Sequence, residues 1–156
     1  MYLVLKLLHV TAVVLFLGNI VTGLFWHSHA ARTRDPKLLY HAMDGIIRSD
    51  RWFTLPGVIT ITLTGILAAV QAHLPILRTP WILGSIVLFS ISGLLFAVRV
   101  APLQKRLREV AHAGMVPGGF EYATYHRLAR AWELWGAAAL LLPLGAMALM
   151  VLKPAP

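Results

Sequence analysis

Four long apolar stretches limit what this chain can fold into. A helix crossing the hydrocarbon core of a bilayer needs about 20 consecutive, mostly apolar residues. Residues 2–26, 52–72, 81–98 and 131–152 meet that requirement, and the first is broken only by Lys6, His9 and Asn19. Backbone polar groups in lipid must be satisfied within the segment, so each stretch reads as an α-helix. Of 156 residues, 58% are apolar and 13% charged, against ~45–50% and ~25% in a soluble domain. The expected fold is all-α: a four-transmembrane-helix bundle forming a single integral membrane domain over residues 1–156.

Loop charge predicts the orientation. Arg32, Arg34, Lys37, Arg48 and Arg51 fall between the first and second spans, and Arg99, Lys105, Arg106, Arg108, Arg127 and Arg130 between the third and fourth. The remaining loop holds only Arg78, and Lys6 and Lys153 lie near the two chain ends. The basic loops are expected in the cytoplasm and both termini outside, as in a multi-pass protein of the bacterial inner membrane. The net charge of +8 is then explained by anionic headgroups, and nucleic acid is not expected as a partner. The first span exceeds the ~7–15-residue apolar region of a signal peptide, so it reads as a retained helix. The chain has no cysteine, which excludes disulfides and thiolate chemistry.

The basic loops carry helical signals of their own. Asp35-Pro36 is a helix start, a capping acid followed by proline at the first helical position. Leu39, Met43, Ile46 and Ile47 then recur at helical spacing, which predicts a short cytoplasmic amphipathic helix on the membrane surface. The third helix should continue through Leu103–Ala113, bent at Pro102, and stop at Gly114. The fourth should begin near Tyr122 and kink at Pro143.

Ionisable groups at membrane depth are functional candidates by default. His9 lies about two turns into the first span, where a neutral imidazole can ligate a metal or haem iron, relay a proton, or hydrogen-bond a neighbouring helix. Lys6, one turn earlier, can bind a propionate or snorkel to headgroups. His27 shares the face of His9, eighteen residues on and about 27 Å away. His73 and Met147 are candidate partners at the depth of His9, and His126 at the depth of His27. Two stacked haems would need four such ligands. Glu133 can carry protons, or pair with Arg130, Arg51 or Arg99 at the interface. Asn19 is expected to make an interhelical hydrogen bond. Catalytic signatures such as the phosphate loop, the G-x-S-x-G elbow and H-E-x-x-H are missing, so any enzymatic chemistry would belong to a cofactor.

Lys6-Leu-Leu-His9, running on to Gly18, resembles the first helix of a group of small bacterial four-helix membrane proteins. That group includes HemJ-type protoporphyrinogen oxidases, CopD-like copper proteins and predicted membrane proteins of unassigned function. Arg51-Trp-Phe-Thr-Leu-Pro56 with Thr64-Gly65 is similar to their second helix, and Val151-Leu-Lys-Pro154 to their close. The resemblance implies haem b bound through His9. By depth and residue type, Lys6 and either His73 or Met147 would complete the site, with His27, His126, Arg51 and Glu133 as secondary candidates. The HemJ pattern also has a lysine early in the third helix. Here that stretch is Trp81-Ile-Leu-Gly84-Ser85, which departs from it. The expected function is electron transfer, or haem-dependent oxidation of a membrane-associated substrate, with a membrane electron carrier and a homo-oligomer as partners. The alternative is a cofactor-free bundle that binds a partner, lipid or small solute.

Overall fold

The computed structural model describes residues 1–154. Its elements are α1 (Tyr2–Ala31), α2 (Pro36–Ser49), a π-helical turn (Asp50–Thr54), α3 (Leu55–Gln71), a 3-10 turn (Ile76–Arg78), α4 (Pro80–Leu95), a second π-turn (Phe96–Val100), α5 (Ala101–Ala113) and α6 (Tyr122–Leu152). No strand occurs among the described residues. Four helices are long and apolar enough to cross a membrane, as expected.

Two of them outgrow the bilayer. Pro36–Gln71 and Pro80–Ala113 are continuous helices of 36 and 34 residues, each over ~50 Å at ~1.5 Å per residue, against a ~30 Å hydrocarbon core. Both overhang at the end that carries the basic loops, where α2 packs on α5. This corrects one expectation. The apolar stripe of α2 does not lie on a membrane surface; Leu39, Met43 and Ile46 are buried in a core with Val100, Leu107, Ala111, Tyr125 and Trp132. The expected start is correct: Asp35 Oδ1 accepts from Lys37 N at 2.8 Å, with Pro36 at the first helical position.

The two π-turns share a cause. Each ends two residues before a proline, Pro56 or Pro102, which has no N–H to give the preceding turn. The chain widens instead, with Leu55 N bonding Asp50 O and Ala101 N bonding Phe96 O. At Pro102 the helix therefore continues through an i→i+5 turn into α5.

Within the membrane, α1 packs along α3 and α4 along α6. The pairs meet through α1 and α6 near the basic end, where Leu24 lies against Gly136, and through Phe16 and Phe89, whose rings are 5.6 Å apart. Lipid gives no hydrophobic drive for helix association, so close packing and hydrogen bonds hold the spans. The α2–α5 cap lies beyond the core, where burying each large aliphatic side chain contributes about 1.5–3 kcal/mol.

Pro143 sits inside α6 without ending it. The carbonyl it leaves unpaired, Ala139 O, accepts from Ser92 Oγ on α4 at 2.6 Å, and Ser85 Oγ donates to Ala146 O two turns further.

Candidate functional site

The residues proposed around the first-helix motif lie as follows. His9 lies against α3. Its Nδ1 is 2.9 Å from Ile61 O and 3.4 Å from Thr64 Oγ1. A carbonyl only accepts, so the proton of this bond is on Nδ1. Gly65 makes room for the ring: a Cβ there would sit 2.9 Å from His9 Cε1. His73 ends α3 with φ +54 and is exposed. Eight residues separate it from Gly65, beside which the His9 ring sits. Met147 is 41% exposed on α6, in the half that packs on α4. Lys6 is exposed and has no ion pair among the described residues.

At the basic end a second cluster is tighter. His27 is fully buried. Its Nε2 is 3.1 Å from Tyr125 Oη, and its ring centroid is 4.7 Å from that of Trp132. Its Nδ1 lies 3.4 Å from Glu133 Oε1, close enough for an ion pair, yet it makes no hydrogen bond. Trp132 Nε1 is likewise buried without a partner among the described residues. Glu133 thus faces His27, and among the described residues it has no ion pair with Arg130, Arg51 or Arg99. Arg99 lies over the Trp135 ring instead, at 5.3 Å, and Arg51 is exposed. His126 stacks on Tyr122 at 5.8 Å rather than meeting His27.

Above this cluster opens a cavity of about 480 Å³ between the end of α1 and the start of α6. Arg32, Arg34, Arg130 and His126 line it, with Tyr122, Tyr125 and the half-exposed Glu133. Arg34, held at φ +54, places its guanidinium 4.8 Å from the Tyr122 ring centroid. At that distance the guanidinium makes a cation–π contact with the ring.

The third cluster was not anticipated as a unit. Asp50 is 9% exposed. Its Oδ1 accepts from Thr54 Oγ1 at 2.7 Å and Asn19 Nδ2 at 3.2 Å, and its Oδ2 from Gln104 Nε2 at 2.8 Å. Asn19 Nδ2 also donates to Thr54 Oγ1 at 3.0 Å. The interhelical hydrogen bond expected of Asn19 is present, and this node ties α1, the first π-turn and α5 together. A sequence signal existed. Asp50 continues the stripe Leu39, Met43, Ile46 at 4-3-4 spacing, and Gln104 interrupts the stripe Val100, Leu107, Ala111. A polar residue in the register of an apolar stripe predicts a buried polar contact.

Among the described residues no group of three or more His, Cys, Asp or Glu side chains forms a metal cluster. No curated protein and no solved structure matches the chain. A family model does match residues 3–154, nearly the whole chain, and its description is predicted integral membrane protein. With four apolar helices of spanning length in the structure, the chain belongs to that family, DUF2269.

Proposed function

We propose that this protein binds the anionic headgroup of a phospholipid in the cavity between α1 and α6. The observation that carries this is the ring of Arg32, Arg34, Arg130 and His126 around an opening of about 480 Å³. Basic pockets between membrane helices on the cytoplasmic side suit such headgroups, and guanidinium forks match phosphate oxygens bidentately. The charge of the flanking loops supports a cytoplasmic position for this end. Tyr122 and Tyr125 supply hydroxyls and ring faces, and Glu133 opposite favours a headgroup that also carries a hydroxyl or amine. This is the cofactor-free, ligand-binding reading of the bundle.

Native mass spectrometry of protein released from nanodiscs tests it. With phosphatidylglycerol nanodiscs, lipid adducts should persist and should be lost in Arg34→Ala/Arg130→Ala. With phosphatidylcholine alone they should be absent. Soluble glycerol phosphate competing for the adducts would point to a free phosphate ester as the ligand. Equal retention by the double variant and the parent chain overturns the reading.

A second reading, haem b at His9 with electron transfer or oxidation of a membrane-associated substrate, is favoured by one feature of His9. A ring whose Nδ1–H donates to a backbone carbonyl is oriented as metal-binding histidines commonly are, and in its neutral form Nε2 would hold the iron. Bound haem would supply one-electron chemistry. His73 or Met147 would supply the second axial ligand. Absorption spectra of protein from haem-supplemented cells, oxidised and dithionite-reduced, decide it. A Soret shift that disappears in His9→Ala supports haem; a flat visible spectrum removes it.

A further inference from the structure

The Asp50 node stands apart from the cationic cavity. Asp50 accepts three hydrogen bonds, all from neutral donors. Among the described residues it makes no ion pair. The charged groups on the elements around it are engaged elsewhere or exposed. Asp44 on α2 pairs with Arg48 at 2.8 Å and with Arg108 of α5 at 3.5 Å. Arg99 covers Trp135. Arg51, Lys105, Arg106 and Glu109 are exposed. On α1, the side chain that reaches Asp50 is the amide of Asn19.

A carboxylate buried without a countercharge is unfavourable, and such a group either neutralises or acquires a cation. This one has the ligands for that. Two carboxylate oxygens, the Thr54 hydroxyl and the side-chain amides of Asn19 and Gln104 converge within hydrogen-bond distance. An amide presents either its NH₂ or its oxygen after a half-turn. Hard monovalent cations take oxygen ligands of this type.

We propose that Asp50, with Asn19, Thr54 and Gln104, binds a single monovalent cation, either a proton or a sodium-sized ion. Occupancy changes the node. A proton on Asp50 turns one acceptor into a donor, so the Thr54 hydroxyl, the Asn19 amide or the Gln104 amide must turn to accept it. A metal ion draws both amide oxygens inward. In either case the hydrogen bonds that join α1, the π-turn and α5 are rearranged, and ion occupancy is coupled to the packing of the α2–α5 cap on the membrane spans.

The test uses purified full-length protein in liposomes, without and with sodium chloride, and choline chloride as the control. Infrared difference spectra between mildly acidic and alkaline buffers are recorded alongside thermal unfolding. If the cation is a proton, a carboxylic-acid C=O band appears in the parent chain and is missing from Asp50→Asn. If it is sodium, no acid band appears, and Tm rises with sodium but not choline in the parent and stays flat in Asp50→Asn. Should Asp50→Asn fail to fold, Asp35→Asn/Asp44→Asn leaves Asp50 as the only aspartate in the chain. Carbon-13 labelling of aspartate carboxyls then reads Asp50 alone. A carboxylate band unchanged across the pH range, with a Tm indifferent to sodium, overturns the proposal and leaves Asp50 as a permanently ionised structural acceptor.

Discussion

Ser92 Oγ donates a hydrogen bond to Ala139 O, the carbonyl that Pro143 cannot serve. The defect in α6 and the hydroxyl in α4 are therefore complementary. Ser92→Ala should destabilise the bundle by about 1 kcal/mol, the scale of an interhelical hydrogen bond in a membrane. Pro143→Ala restores the N–H to Ala139 O and should offset most of that loss. Reversible unfolding of the two single variants and the double variant measures the coupling, and strict additivity would contradict it.

Gly65 and His9 form a second complementary pair. Gly65→Ala places a methyl group 2.9 Å from the imidazole, so the ring must shift and the Ile61 bond lengthens. A loss of about 1–3 kcal/mol is expected, the range for overpacking, with partial recovery in a His9→Ala background. Gly18→Ala is the control, since a Cβ there meets nothing within 4 Å. Equal effects at the two glycines would count against a ring seated on α3.

Tyr125→Phe removes the partner of a fully buried nitrogen, His27 Nε2. Leaving it unsatisfied should destabilise by about 1–3 kcal/mol. His27→Phe together with Tyr125→Phe should recover part of that, because the apolar pair removes the unpaired ring nitrogens. Thermal unfolding in one detergent compares the two variants with the parent chain.

The cationic cavity gives a graded prediction. A basic residue near an anionic surface contributes about 1 kcal/mol, so Arg34→Ala and Arg130→Ala should each weaken phosphatidylglycerol retention about fivefold. Arg34→Lys should recover less than half of that loss, since an ammonium keeps the charge and gives up the planar bidentate fork. Titration into nanodiscs of varied phosphatidylglycerol content reads these values.

Much of the framework was legible in the residues alone. Lipid tolerates only segments that satisfy their own backbone, so four apolar runs specify four helices, and Asp35-Pro36 specifies where α2 begins. Those are local properties of stretches of chain. The depth of His9 and Asn19 was equally readable from helical rise.

Which groups meet was decided only by the tertiary structure, because neighbouring helices set contacts at a resolution below one turn. Helical rise gave His9 a depth, and the register of α1 on α3 is what sets Ile61 and Gly65 against its imidazole. Glu133 was flanked by arginines in the chain, and the angle of α6 against α1 turns it to His27. Asp50 and Gln104 lie on stripes whose periodicity is plain, but nothing in either stripe names the other. The two π-turns arise where a proline follows and the helix must continue into the packed α2–α5 cap, and they bring Asp50 and Gln104 together. Sequence determines what each segment must bury; only packing determines which buried polar group answers which.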